Sequence, residues 1–208
     1  MEVIKEMIPF VYKGGILMVP LLLCSVIALA IIIERAISLH RLNIDFSDYL
    51  VKIRKLLEMD KAIEAIALCE SMPEPFSHIF KEGVLSRGRT KAEISEALGE
   101  VGLLEIPKLE KYIPVLGTIA SISPLLGLLG TVTGMIRAFN VMALEGAGKP
   151  MALAGGISEA LITTATGLSI AIPTLVFYNI FTNHIDHLVR ESEKGASLLS
   201  EIVASPQE

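Results

Sequence analysis

Three long stretches of the chain carry almost no charge, and they determine the predicted architecture. Residues 14–33 and 113–136 contain no Asp, Glu, Lys or Arg, and residues 151–183 contain a single one, Glu159. A helix rises about 1.5 Å per residue, so each stretch can cross the roughly 30 Å hydrocarbon core of a bilayer. We therefore predict three membrane-spanning helices: TM1 (14–34), TM2 (113–137) and TM3 (151–183).

The segments between and after these stretches are polar. Residues 35–112 carry twelve Lys and Arg side chains interspersed with acidic ones, which suits a cytoplasmic helical domain. Residues 138–150 end in Gly146-Ala-Gly-Lys-Pro150, which is turn chemistry, and predict a short periplasmic loop. Residues 184–208 place apolar side chains at helical spacing and predict a cytoplasmic helical tail that continues TM3.

Helix boundaries within residues 35–112 are predicted from capping residues. Ser47 and Asp60 each precede apolar residues at helical spacing and are predicted as N-caps. Thr90 and Glu93 have the spacing of a capping box. No residue clearly stops the helix that begins there. If it continues through TM2 to Arg137, it is about 70 Å long at standard rise, and Pro107 and Pro114 are the positions where it could kink.

Residues 1–13 leave two interpretations open. Their apolar side chains at helical spacing suit a periplasmic or interfacial amphipathic segment, and the alternative is a frayed terminus. TM1 is longer than the apolar core of a signal peptide and runs directly into Glu34 and Arg35, so we expect it to be retained. Lys and Arg are concentrated in residues 34–112 and after Phe181, which predicts a periplasmic N-terminus and a cytoplasmic C-terminus.

Composition supports a membrane protein and argues against several other functions. The chain is 52% hydrophobic and has a formal net charge of -5, with no dense basic run, so a nucleic-acid partner is not expected. The sequence contains no phosphate-binding loop, HExxH or CxxC motif, and Gly156–Ala160 lacks the final glycine of a nucleophile elbow. His184 and His187 supply only two ligands. We therefore expect no enzymatic activity, no cofactor and no metal.

TM2 is rich in small and hydroxylated residues. Gly130 and Gly134 form a GxxxG pair, and Gly127 lies on nearly the same face. Such glycines let helix backbones approach closely, and helix packing is their simplest interpretation, which we extend to Gly167 of TM3. Thr131 is a better functional candidate because it could also face water. The predicted kinks are at Pro20, Pro124 and Pro173, one in each span.

Glu159 is the strongest candidate for a functional residue. A charge at bilayer depth costs several kcal/mol, so such groups usually face a bundle interior or water and serve ions, protons or a partner. On an ideal helix, Glu159 shares a face about 160° wide with Thr163, Thr166, Gly167, Ser169 and Pro173. The alternative is a carboxylate that snorkels to the outer surface. Three helices can hardly enclose a water-filled path, so we expect a homo-oligomer.

The motifs of the three spans together resemble one known family. They are Val19-Pro-Leu-Leu-Leu23 with Ile32-Ile-Glu-Arg35, Ser123-Pro-Leu-Leu-Gly-Leu-Leu-Gly-Thr-Val132, and Gly156-Ile-Ser-Glu-Ala-Leu-Ile-Thr-Thr-Ala-Thr-Gly-Leu168 with Ala171-Ile-Pro173. The chain resembles the MotA/TolQ/ExbB proton-channel family, specifically its three-span ExbB/TolQ branch. Each motif alone is only a small-residue membrane helix, but the last two are specific in combination.

The resemblance implies an all-α integral protein of the bacterial inner membrane, with three transmembrane helices, long cytoplasmic helical extensions and membrane lipids around it. Five copies would surround a central pore that holds the single helices of ExbD- or TolR-like subunits. By position, Thr131, Glu159 and Thr164 would border that pore. On an ideal helix Thr164 lies about 140° from Glu159, so both reach the pore only if the helix bends or if one faces a neighbouring subunit.

The resemblance also implies an ion-driven motor. The partner's membrane aspartate would carry the main protonation event, and ion flow would drive work on a TonB- or TolA-like envelope protein, as in TonB-dependent uptake. Protons are the default ion, and sodium stays open because threonine hydroxyls could also coordinate it. The alternatives are a TolQ-like envelope and division motor, a gliding-type stator and a non-conducting membrane scaffold.

Overall fold

The computed structural model describes residues 14–42, 44–145 and 150–204, and of residues 144, 145 and 150–153 it describes the backbone alone. The predicted segment 1–13 and residues 146–149 of the predicted loop lie outside this part of the chain. The regular structure described is entirely helical, which confirms the predicted all-α fold. The helices are α1 (Met18–His40), α2 (Phe46–Glu58), α3 (Ala62–Glu70), α4 (Phe76–Leu85), α5 (Lys91–Glu105), a 3₁₀ turn (Ile106–Lys108), α6 (Ile113–Glu145) and α7 (Pro150–Val203).

Three of these helices, α1, α6 and α7, are long and apolar enough to cross a membrane, which confirms the predicted number of spans. α6 continues to Glu145, so residues 138–145, predicted as loop, are helical. α7 begins at Pro150 and runs to Val203 in one helix, as predicted for TM3 and its tail.

The chain divides into two compact units. The membrane unit comprises, among the described residues, 14–34 and 112–180. The polar unit comprises residues 35–111 and 181–204, and α7 contributes residues to both units.

The helix starts in the polar unit agree with the predicted caps at one position out of three. Thr90 and Glu93 form both hydrogen bonds of the capping box, as predicted. Ser47 is not the N-cap of α2, because the Asp45 side chain accepts hydrogen bonds from the backbone amides of Ser47 and Asp48. Asp60 is not the N-cap of α3 either. It has φ 59°, and its carboxylate pairs with Arg87 at 3.0 Å.

The long helix predicted from Thr90 to Arg137 is interrupted. α5 ends at Glu105, and Pro107 follows in the 3₁₀ turn, where it has no amide hydrogen to continue the α-helical pattern. Tyr112 adopts φ 67°, a left-handed conformation that a side chain with a Cβ rarely takes. The Tyr112 carbonyl then accepts a hydrogen bond from Leu116 at 3.3 Å in the first turn of α6. The break is therefore a backbone feature that side-chain periodicity does not reveal.

The core of the polar unit is built around α4. The Phe46 ring contacts Phe76 edge-on and stacks on Phe80, with centroids 5.0 and 5.5 Å apart. The C-terminal part of α7 packs onto this core through small and aliphatic residues. A Cβ added at Gly195 would lie 2.8 Å from the Phe80 ring, and one at Gly83 would lie 2.5 Å from Leu199. These glycines are required because the helices approach so closely.

Two glycines of the polar unit test this packing. Gly83→Ala should destabilise the chain by about 1–3 kcal/mol, because Leu199 is fully buried and has no room to move. Gly99 is an exposed interior residue of α5 with no atom within 4 Å of an added Cβ. Gly99→Ala should therefore stabilise the chain by up to about 1 kcal/mol through helix propensity alone. Thermal unfolding of the detergent-solubilised protein measures both, and equal effects would contradict the packing described.

A charged cluster joins the end of α5 to α4. The Glu105 side chain is only 12% exposed, with Lys108 Nζ 2.6 Å from Oε2 and His78 Nδ1 3.1 Å from Oε1. The Lys108 hydrogen bond, with a smaller contribution from His78, lowers the pKa of Glu105 although burial opposes it. The ionised carboxylate therefore stabilises the folded unit.

This cluster predicts a pH-dependent loss of stability. Since the folded pKa of Glu105 lies below the ordinary 4.5, its contribution is complete well above pH 4.5 and is lost as the pH falls through the folded value. Glu105→Gln should therefore be less stable than the wild type at pH 7, with the difference shrinking below pH 4.5. Urea unfolding at a series of pH values tests this. Glu100→Gln, at an exposed position of α5, serves as the matched control, and a pH-independent difference for Glu105→Gln would refute the assignment.

Candidate functional site

α6 and α7 approach each other closely in the membrane unit, through small residues on both helices. A Cβ at Gly167 would lie 2.5 Å from the Ser123 carbonyl oxygen, and one at Gly134 would lie 2.9 Å from the Gly156 carbonyl oxygen. A Cβ at Gly127 would lie 3.0 Å from Thr164 Cα. These contacts are with backbone atoms, which cannot rotate away. The two helices are therefore close enough for polar groups of one to reach the backbone of the other.

Two threonines of α7 use that proximity. The Thr164 hydroxyl donates to the Gly127 carbonyl of α6 at 2.8 Å. The Thr163 hydroxyl lies 2.7 Å from the Glu159 carbonyl and 3.0 Å from the Gly14 carbonyl, and its side chain packs where a Cβ of Gly130 would be. Thr163 is 1% exposed. Part of the polar face predicted on TM3 is therefore satisfied within one chain.

The other predicted threonines bond to their own helices. Thr131 donates to the Leu128 carbonyl at 2.6 Å, and Thr166 donates to the Ile162 carbonyl at 2.8 Å. Both side chains are half-buried. Such bonds satisfy the hydroxyl proton but leave its oxygen able to accept, so both residues remain capable of contacting water or an ion.

Glu159 is not the isolated charge that the sequence suggested. Its Oε1 lies 2.6 Å from Nη1 of Arg137, and the Glu159 side chain is 20% exposed against 54% for Arg137. A Cβ added at Gly15 would overlap the Glu159 carboxylate, and Gly15 has φ 72°, which suits glycine. The carboxylate thus lies between the guanidinium of α6 and the backbone that precedes α1.

The ion pair lies at one end of the uncharged parts of all three long helices. Residues 113–136 end before Arg137, residues 160–183 begin after Glu159, and residues 14–33 begin beside Gly15, which lies against the Glu159 carboxylate. This position favours the alternative interpretation, in which Glu159 lies near a surface of the apolar layer. The structure adds that a cation, Arg137, lies beside it.

Sequence reasoning missed Arg137, although a signal for it exists. Two antiparallel helices joined by a short connection pair residues at equal distances from the centre of that connection. Arg137 and Glu159 are equidistant from residue 148, which lies between α6 and α7. Applied to the predicted loop 138–150, which is centred on residue 144, the rule pairs Glu159 with Leu129, so it identifies Arg137 only once the ends of α6 and α7 are known.

The three predicted kink positions differ in where they lie in their helices. Pro124 and Pro173 lie inside α6 and α7, whereas Pro20 is in the first turn of α1, where a missing amide hydrogen breaks no helical hydrogen bond. Pro20 therefore gives no reason for a kink. Among the described residues, no three His, Cys, Asp or Glu side chains are grouped as metal ligands.

Comparison with known proteins gives consistent results. The model of the MotA/TolQ/ExbB proton channel family matches residues 71–194. The biopolymer transport protein ExbB-like 3 of Synechocystis sp. is 38% identical over 81% of this chain and 81% of its own length. ExbB-like 1 of the same organism is 35% identical over 82% of this chain and 68% of its own. The Tol-Pal system protein TolQ of Haemophilus influenzae is 52% identical over 36% of this chain and 33% of its own.

The close approach of α6 and α7 predicts different effects for two glycines. Gly167→Ala should weaken the pair by about 1–3 kcal/mol, because the new methyl group meets the Ser123 carbonyl and the Gly127 Cα. Gly155→Ala should have little effect or slightly stabilise, since nothing lies within 4 Å of its added Cβ. Thermal unfolding in detergent measures how each substitution changes stability. Disulfide trapping between cysteines introduced into α6 and α7 measures how each changes the contact between the two helices. Equal tolerance of the two substitutions would contradict the contact.

Proposed function

The chain belongs to the MotA/TolQ/ExbB proton channel family, and from this premise we propose that it is a subunit of an ion-driven motor in the bacterial inner membrane. The motor couples the proton motive force to work on the cell envelope. The observation that carries the proposal is Glu159, an acid within the apolar part of α7, with Arg137 of α6 beside its carboxylate and the Thr163 hydroxyl beside its carbonyl.

Exposed apolar surface supports assembly into a homo-oligomer, with five copies around a central pore. The α6 face that points away from α7 exposes large side chains, namely Leu125, Leu128, Val132 and Ile136. α7 adds Leu161, Leu168 and Ile172. Such surface must meet lipid or another protein, and a single copy of three helices leaves no enclosed path for an ion.

Within this assembly, the ion path is bordered by Thr131, Glu159 and Thr164, with Thr166 as a further half-buried hydroxyl. Thr163 has a different role because it is buried within one chain, and with the glycines at positions 127, 130, 134 and 167 it holds α6 against α7. Thr164 donates to Gly127, so its side chain lies at the edge of the helix pair rather than free in a channel.

The partner is a pair of single-span ExbD- or TolR-like subunits that occupy the pore, and the work passes to a TonB- or TolA-like protein. Names of the relatives support this class, since several are biopolymer transport proteins ExbB and others are Tol-Pal system proteins TolQ. The N-terminus is periplasmic and the C-terminus cytoplasmic, as the Lys and Arg distribution favours. The transported ion is the proton, and sodium is the alternative.

A second candidate is a non-conducting scaffold, favoured by the glycine contacts between α6 and α7. In that case the threonines and Glu159 only hold helices together. The two candidates differ in what happens when a hydroxyl outside the buried contact is removed, because a scaffold loses little when a half-buried threonine is replaced by a residue of the same shape.

Thr131→Val and Glu159→Gln test the motor in cells that depend on this protein for envelope energisation. Each variant should lose at least about tenfold in activity, corresponding to roughly 1.4 kcal/mol or more, while its membrane level and native mass stay unchanged. Thr118→Val is the matched control, because this exposed α6 threonine also donates to its own helix, at 2.9 Å to Pro114. Full activity in both test variants would refute the ion path. Dispersal of the oligomer would favour the scaffold.

A further inference from the structure

We propose that Arg137 is a positioning residue for Glu159, and that the Glu159 carboxylate acts in the ion path as the fixed counter-charge of Arg137 rather than as a proton carrier. This inference rests on the proposed function and assigns a role to one of its residues. It concerns a basic side chain on α6 that the motif of TM2 does not include.

The geometry holds the carboxylate from two sides. Arg137 Nη1 lies 2.6 Å from Glu159 Oε1, which is the distance of a strong charge-assisted hydrogen bond. On the other side, Gly15 leaves the space that the carboxylate fills. Thr163 fixes the same turn of α7, because its hydroxyl lies between the carbonyls of Glu159 and Gly14. The carboxylate therefore has little freedom to swing towards an ion path and back.

The charges of the membrane unit support the same role for Glu159. Arg137 is the only basic residue among the described residues of the membrane unit, and a guanidinium stays protonated in proteins. A cation at the end of an apolar stretch is stabilised by reaching water or by a counter-charge, and Glu159 supplies the counter-charge at 2.6 Å. The pair has no net charge, so it repels a passing cation less than Arg137 alone would.

Three elements of the described part of the chain face Glu159. α6 presents Arg137, α7 presents the Thr163 hydroxyl, and the segment before α1 presents the backbone of Gly14 and Gly15. Arg137 is thus the charged group that faces the carboxylate among the described residues. Removing it leaves a lone acid that protonation can neutralise, whereas removing Glu159 leaves a lone cation that cannot lose its charge.

The experiment compares Arg137→Gln, Glu159→Gln, the double variant and Arg137→Lys, each in the full complex. Activity is measured as envelope energisation in cells and as ion-driven flux in vesicles from pH 5 to 8, with membrane level and native mass as controls. At pH 7 both single Gln variants should lose at least tenfold, because each leaves one charge unpaired. The double variant should be at least about threefold more active than either single Gln variant, because it leaves no unpaired charge, and Arg137→Lys should retain activity since it keeps the charge.

The pH profile separates a charge role from a merely structural one. Arg137→Gln should recover activity as the pH falls, and Glu159→Gln should not. The proposal is overturned if the double variant is as inactive as Glu159→Gln at normal membrane level and mass, because the carboxyl itself would then handle the ion. It is also overturned if Arg137→Gln is fully active at pH 7.

If the double variant fails to reach the membrane, two results from the other variants still decide the question. Arg137→Lys as inactive as Arg137→Gln, or no recovery of Arg137→Gln at low pH, would each refute the proposal. Failure of the proposed function looks different, because deletion of the whole protein would then leave envelope energisation intact. If the wild-type chain drives ion flux, the differences in activity among the variants report on the ion pair alone.

Discussion

The close approach of α6 to α7 is the constraint on which the membrane unit depends. Its glycines meet backbone atoms of the opposite helix, so the spacing is set by main chain rather than by flexible side chains. At that spacing Thr164 reaches the Gly127 carbonyl, and Arg137 reaches Glu159. In an apolar layer polar groups must find partners inside the protein, and this helix pair provides them for Thr164 and Glu159.

Local patterns in the sequence were sufficient to predict the features that depend only on neighbouring residues. Three uncharged stretches predicted three long helices, and the Thr90 and Glu93 capping box formed as expected. The break before α6 could be predicted only in part, because Pro107 indicates a place where the helix can be interrupted but not how the chain turns there. A left-handed tyrosine at position 112 is favoured by no local rule, because such conformations are normally taken by glycine or asparagine. Its stabilisation must come from the folded chain.

The candidate site shows the same limit. A polar face on α7 was evident from residue spacing, but spacing does not say which groups occupy that face. Thr163 turned inward to the Gly14 carbonyl, and Glu159 acquired Arg137. Both partners are distant in sequence, so a single helix considered alone could not reveal them. Of the residues that their chemistry suggested as pore groups, Thr163 is therefore part of the helix packing and Glu159 of an ion pair, whereas Thr131 and Thr166 stay half-buried.

The ion pair alters how the acid of α7 relates to ion movement. An isolated carboxyl near an apolar layer is driven towards its neutral form, and that makes it a natural proton acceptor. Glu159 is not isolated in this sense, because Arg137 Nη1 lies 2.6 Å from its Oε1. Under the proposal that Glu159 is the fixed counter-charge of Arg137, the proposed motor needs a different group for proton exchange.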